Sequence, residues 1–122
     1  MDRRLGDLDP AHFETPQRVA LADLLVTARP VQRSRLLQRL LRDQFSHVRL
    51  HAVRAAMAVD DPALVPFLVD RLQDHSIDVA LVAVEALGRQ TAPRARQAIE
   101  ATRSDGDPRL RLAAEAALEG AR

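Results

Sequence analysis

Two histidines and an aspartate are spaced so that a single helix could offer them to a metal ion. His47 and His51 are four residues apart, and Asp43 precedes them by one helical turn. A pair of imidazoles at this spacing is a common zinc-binding arrangement. However, Val48 follows His47, so the H-E-x-x-H pattern of zinc hydrolases is absent. We therefore expect structural histidines and no metal site.

The residue types give little support for covalent catalysis. The chain has no cysteine, which excludes thiolate nucleophiles and disulfides. Ser46 and Ser76 stand where helix N-caps are expected, and no serine lies in a G-x-S-x-G elbow. The four glycines are isolated, so they form no phosphate-binding loop. We expect no catalytic residue, no cofactor and no enzymatic activity.

Arginines give the chain its one pronounced charge cluster. Every basic residue is arginine, and 18 basic against 17 acidic residues leave a formal net charge of +1. This balance gives no strong field for nucleic acid or anionic membrane. Locally, guanidinium groups can bind carboxylates in a bidentate manner, which suits a protein partner with an acidic surface. The candidate partner-binding residues are Arg35, Arg39, Arg42, Arg71, Arg96 and Arg103.

Two other interpretations of these arginines remain open. The residues could simply form a solvated face, or they could bind nucleic acid. The second alternative is weakened because the chain has no Trp or Tyr to stack on bases. A third and less favoured hypothesis is an accessory subunit of a lyase or a DNA-repair enzyme.

The elements that must position these side chains repeat every 31 residues. A fixed period of this length is typical of stacked helical units. Apolar residues recur at helical spacing within each unit, and no segment alternates with the period of a strand. The aligned columns are Val48/Val79/Leu110, Ala52/Ala83/Ala114, Ala55/Ala86/Ala117 and Asp43/Asp74/Asp105.

Each unit is predicted to be a helix–turn–helix hairpin. Two positions leave its details open. Pro66 requires that its helix either kink or start late, and Gly88 is interpreted as a helix C-terminal signal. The expected helices are 16–28, 31–44, 47–58, 62–74, 77–89, 93–104 and 108–119.

The alanine columns predict how the units stack. Small residues at one place in every unit let neighbouring helices approach closely, and a larger side chain would overpack the contact. We expect Ala83→Leu to destabilise the protein far more than Ala80→Leu.

The repeated helix resembles the HEAT repeat, specifically the short bacterial type first named from phycobilisome lyases. The motif of that type is approximately D-x-x-x-x-V-R-x-x-A-x-x-A-L-G. The resemblance covers 43–119 well and 15–42 weakly. It rests on Asp43, Val48, Arg49, Ala52 and Ala55 in one copy, Asp74, Val79, Ala83, Ala86, Leu87 and Gly88 in the next, and Asp105, Leu110, Arg111, Ala114, Ala117 and Leu118 in the third.

The resemblance implies an all-α fold, an α-α superhelix of the armadillo or HEAT-like solenoid type. It would contain about seven helices in three and a half antiparallel hairpins. Residues 1–14 would form an N-terminal cap or tail, and 15–122 the repeat domain. The units would be roughly 15–45, 46–76, 77–107 and 108–122.

The resemblance also implies a ladder that ties successive turns together, made by an Asp and the Arg six residues later. Its candidate members are Asp43, Arg49, Asp74, Asp105 and Arg111. The middle copy has Ala80 in place of the Arg. The faint first copy has Arg18, but His12 occupies the position of the Asp. These residues are expected to be structural.

The last predicted helix, 108–119, has no second helix after it and offers Leu112 and Leu118. We expect a partner-binding or self-association surface there. Together these observations predict a non-catalytic protein–protein interaction module, an adaptor or regulatory scaffold. The N-terminal residues are too acidic for a signal peptide, so a cytoplasmic location is expected, with no membrane contact.

Overall fold

The structure is a computed structural model that describes residues 14–25 and 29–120. Within these ranges it contains seven α-helices and no strand, as the repeat pattern predicts. The predicted N-terminal cap or tail lies outside the described residues, except for Glu14. The helices are α1 (Thr15–Leu24), α2 (Pro30–Leu40), α3 (Ser46–Met57), α4 (Val65–Arg71), α5 (Ile77–Gly88), α6 (Pro93–Thr102) and α7 (Pro108–Gly120).

The helices pack in a regular series. The first helices of the units lie one on the next, so that α1 contacts α3, α3 contacts α5, and α5 contacts α7. The second helices fill the spaces beside them, since α2 contacts α1 and α3, and α6 contacts α5 and α7. One apolar core therefore runs through all the units, as expected where a single hairpin cannot bury its own apolar face.

The alanine columns lie at the centre of the stack. Ala52, Ala83 and Ala114 have no exposed surface, which places the smallest side chains where the first helices meet. Ala80 is also buried, at 1% exposure. Burial alone therefore does not separate Ala80 from Ala83 in their tolerance of leucine.

The fourth predicted helix, 62–74, is too long, because the α-helix starts late. A 3₁₀ turn over Pro62–Leu64 comes first, and α4 begins only at Val65. Pro66 thus lies in the first turn of α4, where its missing N–H is not needed. The carboxylate of Asp61 accepts a hydrogen bond from the Ala63 N–H at 3.0 Å and caps the 3₁₀ turn. The first helix also ends earlier than expected, at Leu24.

Gly88 ends α5, as predicted, but it does so without a left-handed conformation, because no described glycine has a positive φ. Its importance lies in a close contact. A Cβ added at Gly88 would lie 3.3 Å from the Cβ of Ala117 on α7. The missing side chain therefore lets α5 and α7 approach each other. None of the described helices is long and apolar enough to cross a bilayer.

Candidate functional site

An aspartate turns the chain at the start of α3, α5 and α7. In three successive units its carboxylate accepts a hydrogen bond from the backbone N–H two residues later. The bonds are Asp43 with Phe45 at 2.9 Å, Asp74 with Ser76 at 2.9 Å, and Asp105 with Asp107 at 2.8 Å. Ser76 is the N-cap of α5, as predicted, whereas the N-cap of α3 is Phe45 and not Ser46, and neither N-cap side chain makes a capping hydrogen bond. The aspartates satisfy backbone groups there instead.

The same aspartates receive arginines from the preceding unit. Arg49 on α3 binds Asp74 in a bidentate manner, with Nε 2.8 Å from Oδ2 and Nη2 2.9 Å from Oδ1. Arg18 on α1 binds Asp43 in the same sense, with Nε 2.6 Å from Oδ1. In each pair the partner lies 25 residues later in the chain. We call these two pairs the ladder.

The resemblance to the HEAT repeat implies a pair between each aspartate and the arginine six residues later, but the side chains of these two residues do not pair. Arg49 Nη1 donates to the backbone carbonyl of Asp43 at 2.9 Å, and not to its carboxylate. Arg111 does the same toward the carbonyl of Asp105 at 2.8 Å. One arginine thus holds the turn of its own unit through a backbone oxygen. Its remaining donors are directed to the carboxylate of the next unit.

Asp74 is the most enclosed member of the ladder. Its side chain is 1% exposed, and Arg71 adds a third contact at 3.1 Å. Burial raises the pKa of the Asp74 carboxyl. The hydrogen bonds from Arg49 and Ser76 and the charges of both arginines more than offset this, so that the pKa lies below its usual value. The hydrogen bond to Asp74 likewise raises the pKa of Arg49, against the effect of burial. The pair is therefore ionised at neutral pH.

The ladder is interrupted at Ala80, which occupies the place of Arg49 one unit later. Asp105, the carboxylate that an arginine at this position would reach, has no ion pair among the described residues. A cavity of about 270 Å³ lies between Ala80 and Asp105. The structure thus contains a space where the repeat pattern calls for a guanidinium group.

A second polar connection between units was missed by the sequence reasoning. Gln90, 8% exposed, follows α5. Its Nε2 donates to the carbonyls of Ala56 at 3.3 Å and Val59 at 2.9 Å, and its Oε1 accepts from the Asp61 N–H at 3.2 Å. Gln90 therefore joins two successive turns. It occupies the column of Val59, so no repeat signal marks it.

A hydrogen-bonded pair lies beside this connection. Asp60 accepts from the Thr91 hydroxyl at 2.6 Å and from the Thr91 N–H at 3.1 Å. These bonds, the hydroxyl bond first, lower the pKa of the exposed Asp60 carboxyl. Both polar connections thus span the same pair of turns.

Three of the six candidate partner-binding arginines lie close together along α2 and the turn after it. Arg35, Arg39 and Arg42 are all exposed and follow one another at intervals of four and three residues, which places them on one helical face. The Arg42 guanidinium lies 5.9 Å from the ring centroid of Phe67 on α4. A basic strip therefore runs along α2 toward α4, and we call it the α2 strip.

The other three arginines do not extend the α2 strip. Arg71 points to Asp74 within the ladder. Arg96 pairs with Glu100 at 3.4 Å. Arg96 and Arg103 line a depression that also contains acidic residues of α7, namely Glu115 and Glu119. Neighbouring carboxylates therefore hold or surround these three guanidinium groups.

His47 and His51 are held by contacts with each other and with α1. His51 Nδ1 lies 3.1 Å from an Asp23 carboxylate oxygen on α1. The rings of His47 and His51 meet edge to face, with centroids 4.9 Å apart. The Asp43 carboxylate is bound to Arg18 and to the Phe45 N–H. In the described ranges, no three His, Asp or Glu side chains are grouped so that they could hold a metal ion.

Leu112 and Leu118 of α7 differ in their surroundings. Leu112 is 66% exposed, whereas Leu118 is 9% exposed and belongs to the core. An apolar depression between α5 and α7 is lined by Leu81, Ala113, Ala116, Ala117 and Glu85. The exposed apolar surface of α7 is therefore centred on Leu112.

Comparison with known proteins supports the fold that the geometry displays. The curated proteins give no match to the chain. The sequence model of the family described as HEAT repeats matches residues 34–119, more than two-thirds of the chain. The match covers α3 to α7 and most of α2, which are the helices that carry the stacked alanine columns and most of the ladder. The chain belongs to the HEAT-repeat family.

Proposed function

We propose that the protein is a non-catalytic protein–protein interaction module, an adaptor or regulatory scaffold. The proposal rests on a division of the polar residues between two roles, connecting the units and forming the surface. Asp43, Asp74, Arg49 and Gln90 are all used to connect one unit to the next. The resulting stack presents other charged side chains, the α2 strip above all, on a preformed surface. Preformed surfaces bind with a smaller loss of conformational entropy than flexible ones.

The α2 strip suits a partner with an acidic surface. Three guanidinium groups on successive turns can bind carboxylates in a bidentate manner. The contact of Arg42 with the Phe67 ring restrains the Arg42 side chain on one side of the strip. Electrostatic attraction of this kind mainly accelerates association and selects the partner.

Affinity capture from the native cell extract tests this proposal with a matched pair of variants. The first variant reverses the charge of the strip with Arg35→Glu, Arg39→Glu and Arg42→Glu. The control reverses the charge of the exposed Arg54, Arg89 and Arg94. We expect the wild type and the control to enrich the same protein, and the strip variant to lose it. Enrichment of the same proteins by all three would contradict the proposal.

The alternative is a nucleic-acid-binding module. It predicts binding of DNA or RNA oligonucleotides with a steep salt dependence that Arg35→Ala and Arg39→Ala reduce. A titration of the wild type with both oligonucleotide types at two salt concentrations distinguishes this alternative from a protein partner.

We further propose that α7 provides a self-association surface. The support is the 66% exposure of Leu112, together with the apolar depression that other residues of α7 form with α5. Because Leu118 is buried, Leu118→Asp would damage the core, and Leu112→Asp is the informative variant. Light scattering at high concentration should detect a dimer of the wild type and a monomer of Leu112→Asp. A wild-type monomer would exclude this surface.

A further inference from the structure

The interruption of the ladder leaves a position that the repeat prepares for a guanidinium group. Residues 18, 49, 80 and 111 occupy equivalent places, 31 residues apart, and only residue 80 is not arginine. In the two preceding units this arginine crosses to the aspartate of the next unit. At Ala80 the side chain ends at Cβ, and the cavity of about 270 Å³ takes its place.

The Asp105 carboxylate, at the end of the cavity, is positioned by the same backbone hydrogen bond as the carboxylate of Asp74. Asp105 Oδ1 accepts the N–H of Asp107, just as Asp74 Oδ1 accepts that of Ser76. Asp74 Oδ2 also accepts from Arg49 Nε. Within the described part of the chain, nothing donates to Asp105 Oδ2. A half-buried carboxylate oxygen is therefore held in place with a free acceptor position.

The two arginines beside this carboxylate, Arg109 and Arg111, donate to other acceptors. Arg111 is directed to the backbone carbonyls of Asp105 and Gly106, at 2.8 and 3.2 Å. Arg109, which also lines the cavity, is held by the Asp107 carboxylate at 2.8 Å. Of the two other carboxylates that line the cavity, Asp107 is paired with Arg109 and Asp74 is bound by the ladder. Asp105 is therefore the carboxylate of this cavity that is left to accept hydrogen bonds from a further donor group.

An apolar groove continues from the cavity. Leu72, Gln73 and Asp105 line both spaces, and Val69 and Ala98 form part of the wall of the groove between α4 and α6. The groove has a volume of about 350 Å³. A polypeptide whose charged side chain entered the cavity could place a neighbouring apolar residue in this groove.

We propose that this cavity binds the guanidinium of an arginine side chain presented by a partner protein. Two units of the same chain place a guanidinium at this position, and in one of them, that of Arg49, two planar donors meet the carboxylate side-on. A lysine ammonium lacks this planar fork and is more strongly hydrated. The site is separate from the α2 strip, which would attract acidic and not basic partners.

The test uses two short peptides and two variants of the full chain. One peptide contains a single arginine flanked by leucines, and the matched peptide has citrulline in place of the arginine, which keeps the shape and removes the charge. Amide chemical shifts of Gly106 and Asp107 report occupancy. Ala80→Arg fills the cavity with the guanidinium of the chain itself, and Asp105→Asn removes the charge of the acceptor.

We expect saturable shifts with the arginine peptide on the wild type and at least tenfold weaker binding of the citrulline peptide. Asp105→Asn should weaken binding of the arginine peptide by at least tenfold, and Ala80→Arg should abolish it. Equal binding of the two peptides, or unchanged binding to either variant, would overturn the proposal. If Ala80→Arg fails to fold, Asp105→Asn alone decides the outcome. Failure here would leave the α2 strip unaffected, because none of these changes touches it.

Discussion

Arg49 binds the carboxylate of Asp74 across the boundary between two units, with Nε 2.8 Å from Oδ2 and Nη2 2.9 Å from Oδ1. The Asp74 side chain is 1% exposed and that of Arg49 is 11% exposed. A buried, bidentate pair of this kind fixes the register of two packed elements, while its net stabilisation is offset by desolvation. The pair therefore defines how one unit sits on the next.

Asp74→Asn should destabilise the protein by about 3 kcal/mol at pH 7, because it leaves the Arg49 guanidinium buried without its charge partner. The effect should depend on pH. The pKa of Asp74 is lowered in the folded state, so its contribution is fully present above the unfolded value of about 3.9. The contribution is lost as the pH falls through the folded pKa.

Denaturant unfolding of the wild type and Asp74→Asn at several pH values measures this dependence. The difference in free energy of unfolding should be constant above about pH 5 and shrink below pH 4. A difference that does not change with pH would show that the charge of Asp74 contributes nothing. Asp78→Asn, at an exposed position in the first turn of α5, is the matched control.

Gln90→Ala should cost about 2 kcal/mol, because it leaves buried backbone groups of the turn after α3 without partners. The carbonyl of Val59 and the N–H of Asp61 would lose their partner, while the carbonyl of Ala56 would keep the N–H of Val59 at 3.2 Å. Thermal unfolding measures the loss. Gln97→Ala, at an exposed position, should change stability by less than about 0.5 kcal/mol. Equal melting temperatures for the two variants would contradict the connecting role of Gln90.

Ala83→Leu should remain more destabilising than Ala80→Leu, although both alanines are buried. The reason is the space next to each residue. Ala80 borders the cavity at the ladder gap, which can take the additional methyl groups. Ala83 lies in the column where first helices meet, and overpacking there should cost about 1–3 kcal/mol. Chemical denaturation of both variants measures the difference, and an equal loss for the two would show that the cavity does not relieve the crowding.

The periodic part of the fold could be predicted from the sequence because every unit repeats it. Columns such as Ala52/Ala83/Ala114 mark the same buried position in three successive units. The partner of Arg49 could not be predicted in this way. With aspartates 31 residues apart, Arg49 is six residues after Asp43 and also 25 before Asp74, so the columns fit either pairing. Only the packing of the units decides between them.

Residues outside the repeat were harder to predict. Gln90 has Val59 in the equivalent position, and its hydrogen bonds depend on how two turns meet in space. The partner-binding arginines are predicted from residue type and local charge, which do not show the partners of each side chain. Arg71 and Arg96 have carboxylate partners nearby, and this separates them from Arg35 on the α2 strip.

An arginine at the position of Ala80 would complete the ladder with Asp105. The most direct measurement is a double-mutant cycle in which Ala80→Arg is combined with Asp105→Asn, read as free energy of unfolding. Ala80→Arg should stabilise the protein by about 1 kcal/mol when Asp105 is present, and the gain should disappear when residue 105 is asparagine. An equal effect of Ala80→Arg with and without the Asp105 carboxylate would contradict the claim.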